Sequence, residues 1–186
     1  DPVPEPLTRQ LEAAKAGIPN QTLVRFEGVR FGYEENQTVL AGINLEIRRG
    51  DIIAVLGPNG AGKTTMFNIV NGFYPPSKGD VFLKGQRVSH LKPHTLCKLG
   101  VARTFQVVRP LQRMTTLDNV ITSAFIRTKS KSHAEEIAIE ILKFTGLYDD
   151  RMVISKGLPL GKRKRLEIAR ALATRPEILL LDESFP

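Results

Sequence analysis

Residues 57–64 read GPNGAGKT, a complete match to G-x-x-x-x-G-K-[ST], set between the apolar run DIIAVLG at 51–57 and a stretch of helical spacing. Glycines at 57, 60 and 62 let the backbone wrap a phosphate chain closely, because a residue without a Cβ admits positive φ and close approach. Successive N–H groups and the N-terminus of the following helix then present positive potential to an anion. In such a loop Lys63 reaches the β- and γ-phosphates, Thr64 offers its hydroxyl to Mg2+, and Thr65 is available to an α-phosphate oxygen. Pro58, Asn59 and Ala61 complete the cradle. The competing reading is a glycine-rich turn that binds nothing; a full motif in the strand-to-helix context it requires argues against that.

The run ILLLDE at 178–183 is a second short apolar strand, and it ends in two carboxylates. Beside a phosphate loop, Asp182 is placed to help hold the metal, and Glu183 to orient or deprotonate a water attacking the γ-phosphate. By itself an apolar run ending in Asp-Glu marks only a strand leaving the core. The pairing with residues 57–64 gives it chemical meaning.

These groups need a framework. Alternation over Thr22–Tyr33 and Thr38–Arg48, with Val24 and Phe26, then Ile43, Leu45 and Ile47 on one face, predicts half-buried antiparallel strands. The continuous apolar run at 51–57 predicts a central parallel strand covered on both faces. A helix follows from about Gly62 to Phe73, then turn chemistry in YPPSKGD, a strand near Val81–Leu83 and a turn at KGQ, 84–86. A short helix over Pro93–Lys98 leads into a strand within LGVARTFQ, 99–106. Residues 116–148 carry helical spacing, with Leu117, Val120, Ile121 and Ala124, then Ile137, Ile141, Leu142 and Thr145. A helix at about 161–173 and a buried strand at 177–182 close the pattern. Residues 1–20 form a polar, proline-containing lead-in with one short helix, Leu7–Ala16.

The chain has 186 residues, enough for one full core with a smaller lobe. Its net charge of +8 favours anionic partners without choosing among nucleotide, nucleic acid and acidic membrane. Cys97 is the only cysteine, so an intrachain disulfide is excluded and a buried structural thiol in a reducing compartment is expected. No apolar stretch approaches the roughly 20 residues that span a bilayer. The sequence starts at Asp1, as a trimmed or processed end would, and DPVPEPLTRQ has the pattern of no secretion signal. His90, His94 and His133 are scattered without metal-ligand spacing.

GPNGAGKTT, ARTFQ and RLEIARALATRPEILLLDE, in that order, resemble the nucleotide-binding subunits of ATP-binding cassette (ABC) transporters, over about Leu23–Ser184. LGVARTFQVVRPLQRMTTLDNV resembles more narrowly the branched-chain amino acid importer branch. The resemblance implies an α/β fold of the P-loop NTPase class: an ABC-ATPase-like mixed sheet core, an antiparallel β subdomain and a small helical subdomain. It implies one nucleotide-binding domain over 21–186, with the helical lobe at about 107–160. Gln106 matches the glutamine that contacts magnesium or the attacking water and links core to lobe. Tyr33 matches the aromatic that stacks on adenine, with Phe31 as its rival; an aromatic packed at a sheet edge is the plainer alternative. Residues 107–116 match the surface that receives coupling helices of membrane subunits, although Val108, Leu111 and Met114 equally suit a lobe core.

The family signature L-S-G-G-Q aligns with LPLGK, 158–162. Gly161 is kept, as a phosphate-facing donor on the opposite subunit's nucleotide. Pro159 stands at the serine position with neither hydroxyl nor N–H. Lys162, Arg163, Lys164 and Arg165 crowd a helix start, where the macrodipole disfavours each cation by about 0.3–1 kcal/mol. Two explanations stand for Lys162: it faces the partner's ATP phosphate, or it lies on a solvated face helped by an Arg163–Glu167 pair.

The implied function is an ATPase subunit, peripheral on the cytoplasmic face of the membrane. It would use ATP and Mg2+ to power import of a small solute, such as a branched-chain amino acid, through permease subunits and with a second ATP-binding subunit. No nucleic acid partner is expected. The chain ends at Pro186, before the interface aspartate loop and γ-phosphate histidine of the family, which implies an incomplete hydrolytic site. An ATP-binding module without turnover and a soluble non-transport ABC ATPase are the alternatives.

Overall fold

The computed structural model describes residues 21–34, 37–104 and 110–182. Two compact units are present: one runs to Val70 and includes Tyr74–His90, and the other comprises Asn71–Phe73 and the chain from Leu91. The helix expected at Leu7–Ala16 lies outside the described residues.

In the first unit β1 (Thr22–Phe31), β2 (Leu40–Arg48), β3 (Lys78–Leu83) and β4 (Gln86–Arg87) form an antiparallel sheet in the order β2-β1-β3-β4. The alternation read from the sequence places Val24 and Phe26 in the core, 1% and 2% exposed. β3 starts at Lys78, three residues earlier than YPPSKGD suggested, because Arg30 pairs with Lys78 and Glu27 with Asp80. Gly79 makes that pairing possible: a Cβ there would lie 2.4 Å from the carbonyl oxygens of Glu27 and Gly28. The β3–β4 hairpin turns on Lys84 and Gly85, both at positive φ, as a tight two-residue turn between twisted strands demands. Helix α1 (Lys63–Val70) follows the phosphate-loop motif.

Among the described residues, 51–57 belong to neither sheet. Ile52 and Leu56 are 91% and 88% exposed, so the doubly covered central strand expected there is not formed. An apolar run becomes a central strand only when strands flank both of its edges. Among the described residues none pairs with it.

The second unit contains α2 (Pro93–Lys98), β5 (Val101–Arg103), α3 (Thr116–Ala124), α4 (Lys131–Phe144), α5 (Leu160–Ala173) and β6 (Ile178–Leu180). β5 and β6 pair in parallel, Val101 with Ile178 and Arg103 with Leu180, and Thr104 N–H extends the ladder to Leu180 O. The three longer helices bury Val120, Ile121, Ala124, Ile137, Leu142 and Leu166 against one another, at the helical spacing read from the sequence. Thr115 caps α3 by accepting from Asp118 N–H, and Ser130 caps α4 through His133 N–H. Gly146, at φ 66°, ends α4 in a Schellman turn in which Leu147 N–H reaches Leu142 O. Arg127, just past α3, donates to Cys97 O, Lys98 O and Thr174 O, and so caps the C-terminal ends of both α2 and α5.

Asn119 is fully buried and braces the segment ahead of α3: its Oδ1 accepts from Leu111 N–H, and its Nδ2 donates to Leu111 O and Thr115 O. Asn119→Ala takes from Leu111 N–H its acceptor, while Leu111 O and Thr115 O keep the N–H groups of Met114 and of residue 119, and is expected to lower stability by about 1–3 kcal/mol in urea unfolding. In the first unit the Asp80 carboxyl is held below its ordinary range first by the Ser89 hydroxyl and then by Arg87. A carboxyl lowered in the folded state adds stability above its unfolded-state pKa, and that contribution disappears as pH falls through the folded-state value. Ser89→Ala is therefore expected to raise the Asp80 titration midpoint in NMR and to move acid unfolding to higher pH.

Candidate functional site

The phosphate-loop motif takes the backbone shape its glycines permit. Gly60 and Gly62 sit at φ 83° and 87°, and Ala61 N–H closes a turn onto Pro58 O. Gly62 does double duty, since a Cβ there would come within 2.9 Å of Leu40 Cδ2 at the start of β2. Met66 N–H bonds to Gly62 O, so α1 begins directly on the motif, with the N–H groups of its first turn lacking carbonyl partners of their own helix. The Lys63 ammonium donates to Gly57 O at 2.7 Å and Pro58 O at 2.9 Å, folding over the loop it serves. Thr64 is exposed and Thr65 buried. The loop thus gathers Gly57, Pro58, Asn59, Gly60, Ala61, Gly62, Lys63, Thr64 and Thr65 into one glycine-rich turn at the start of α1.

Tyr33 stands beside this turn. Its hydroxyl shares a hydrogen bond of 2.9 Å with Thr65 Oγ1, and its ring meets Phe31 edge-on with centroids 5.1 Å apart. Tyr74 packs nearly parallel to Phe31 and edge-on to Tyr33. Phe31 is buried, whereas Tyr33 is 54% exposed, so of the two aromatics weighed from the sequence Tyr33 is the one with a face open to a ligand. Tyr74 was not singled out by its sequence; only its position after the α1 turn and its ring type could have flagged it.

In the second unit β6 delivers Asp182 as a buried carboxylate, 8% exposed. It pairs with Arg103 of β5 at 2.7 Å. That partner was missed, although ARTFQ was read as a block; a lone arginine at the end of a short apolar strand was the available signal. A cavity of about 320 Å³ lies close by, lined by Asn71, Phe73, Cys97, Arg103, Glu167 and Arg170 among others. Cys97 is half-buried and lines this cavity rather than lying buried as expected; partial burial pushes its thiol up from the usual range, against the opposing charge of Arg127. Gln106 and Glu183, the expected water-orienting residues, lie outside the described residues, as do Val107 and Val108.

The signature stretch forms the start of α5. Pro159 is its N-cap and makes no side-chain cap bond, and Gly161 is exposed with open space where a Cβ would be. Lys162 Nζ lies 2.8 Å from the Asp150 carboxylate, so its charge is matched within the lobe. The expected Arg163–Glu167 pair gives way to Arg170–Glu167 at 2.9 Å, one helical turn in the other direction.

A comparison with protein families matches residues 40–186 to the ABC transporter family. The chain belongs to that family. It is 35% identical over 179 residues to the high-affinity branched-chain amino acid transport ATP-binding protein LivG of Escherichia coli K12, covering 88% of this chain and 67% of LivG. It is 38% identical over 159 residues to BraF of Pseudomonas aeruginosa, of the same description, covering 76% of this chain and 62% of BraF. LolD of Bacteroides thetaiotaomicron, a lipoprotein-releasing system ATP-binding protein, is 37% identical over 164 residues, with 87% and 75% covered. Among solved structures, a nucleotide-free ATP-binding cassette from an ABC transporter matches with a TM-score of 0.77 at 28% identity, covering 89% of this chain and 70% of that one. CbiO1 of Clostridium perfringens, part of the cbiONQ transporter complex, matches with a TM-score of 0.79 at 26% identity, covering 88% and 66%. The α/β fold of the ABC ATPase class expected from the motifs is therefore the fold of this ABC ATP-binding protein.

With the ring of Tyr33 open and its hydroxyl on Thr65, the two roles of this side chain separate by substitution. Tyr33→Phe keeps the ring and is expected to bind a fluorescent ATP analogue within about threefold of the parent, while Tyr33→Ala weakens binding about tenfold or more. A Phe variant as weak as the Ala variant would show that the hydroxyl, not the ring, carries the interaction.

Proposed function

We propose that this chain is the ATP-binding and ATP-hydrolysing subunit that powers import of a branched-chain amino acid or similar small solute through membrane permease subunits. In this reading it acts as one nucleotide-binding domain over 21–186, paired with a second ATP-binding subunit and peripheral on the cytoplasmic face. The observation that carries it is the phosphate-loop turn, with its two positive-φ glycines and Lys63 held across the loop. LivG and BraF, both branched-chain amino acid transport ATP-binding proteins, support the choice of solute. LolD, of comparable identity, favours lipoprotein release as a second reading. No helix among the described residues is long and apolar enough to cross a membrane.

Lys63 leaves its loop carbonyls to meet the β- and γ-phosphates, Thr65 meets the α-phosphate, and Tyr33 stacks on the base. Among the described residues Thr64 and Asp182 are the ones proposed for magnesium, and both offer oxygen, the donor this hard cation takes. Mg2+ held there would neutralise charge on the phosphates and favour departure of ADP when water attacks the γ-phosphate. Gln106 orients the attacking water and Glu183 accepts its proton. Gly161 faces the nucleotide held by the second subunit.

Steady-state ATPase measurement on the chain beside Glu183→Gln tests the enzyme. The variant is expected to bind ATP and lose turnover by about a hundredfold or more. Binding without turnover in the parent chain would leave a nucleotide-binding module instead. Uptake of labelled leucine by permease-containing proteoliposomes, set against release of a lipoprotein, decides the solute.

A further inference from the structure

Arg103 belongs to the ARTFQ block yet has no part in the reaction as written above. We propose that Arg103 is a positioning residue for Asp182: its guanidinium holds the metal-binding carboxylate at the strand end as a built-in counter-cation, and Mg2+ has to draw the carboxylate from it. This rests on the reading of Asp182 as a magnesium ligand.

The geometry is that of a buried, specific pair. The contact is 2.7 Å and the two side chains are 5% and 10% exposed. A carboxylate at that depth without a partner is strongly unfavourable, so the metal-free chain needs a cation there. The parallel register supplies one, because Arg103 pairs with Leu180 and Thr104 N–H bonds to Leu180 O, which sets the end of β5 beside the end of β6. Glu167 and Arg170, which line the same cavity, are matched to each other at 2.9 Å. Arginine suits the task better than lysine, since its planar fork fixes the direction of the carboxylate as well as its charge. The same fixed charge opposes a second cation on the same carboxylate. Arg103 therefore keeps the strand end ordered before metal arrives and weakens metal binding when it does.

The test is equilibrium binding of a fluorescent ATP analogue to the full chain, titrated with Mg2+ at fixed nucleotide, with parent, Arg103→Lys and Arg103→Gln. Glutamine can still donate a hydrogen bond but removes the charge; lysine keeps the charge with a weaker, single-point contact. Half-saturating Mg2+ is expected to fall about fivefold or more for Gln and about twofold for Lys. A residue that served only the fold would lower the unfolding midpoint and leave the Mg2+ half-saturation where it was; that result, or a rise, overturns the proposal. Should the Gln variant not fold, the Lys variant decides alone, by a value below the parent's or not. A parent chain that binds no nucleotide at saturating Mg2+ instead fails the ATP-binding reading, and this inference with it, before any variant is compared.

Discussion

A buried carboxylate sets the terms for the second unit. Asp182 must end a strand inside the protein, where an isolated negative charge is intolerable, and the side chain that answers it comes from the neighbouring strand. Both strands are only three residues long, too short for ladder hydrogen bonds alone to fix their ends. The ion pair between Arg103 and Asp182, the extra bond from Thr104 N–H, and the double use of Gly100 O by Glu177 and Ile178 N–H pin the pair at both ends. Around it the helices are held by matched termini: caps at Thr115 and Ser130, the glycine turn at Gly146, and Arg127 spread over three carbonyls.

Much of this was written in periodicity. Leu117, Val120, Ile121 and Ala124 share one helix face because their spacing leaves no other arrangement, and the Pro93–Lys98 helix was legible from a proline at its first position. The phosphate loop was legible because its chemistry is local: glycines, lysine and threonines act on what their own backbone builds. The Arg103–Asp182 pair was not legible, since the two residues are 79 positions apart and only strand register brings them together. Tyr74 escaped for the same reason, being an ordinary aromatic until Phe31 and Tyr33 fold beside it. The apolar run at 51–57 was read as a finished strand, yet hydrophobicity states only what a segment requires of its neighbours.

The basic helix start shows how local pairing reshapes a charge argument. From sequence, an anion outside the chain and a solvated face stood as equal explanations for Lys162, with the solvated face preferred for Arg163, Lys164 and Arg165. Asp150, reached across the loop before α5, supplies a carboxylate to Lys162 from within. Both side chains are partly exposed, so the pair is worth about 1 kcal/mol or less. It is a modest restraint, and it leaves the first-turn N–H groups of α5, where Pro159 provides no cap, as the donors of that helix end.

The exposed run from Asp51 to Gly57 has a consequence for the protein as a solute. Among the described residues no strand pairs with this run, and Ile52 and Leu56 face water, so it presents apolar side chains onto which another copy of the chain can add. Intermolecular addition of that kind is second order in protein. Concentration thus enters alongside temperature and pH among the variables that govern whether this chain stays dispersed.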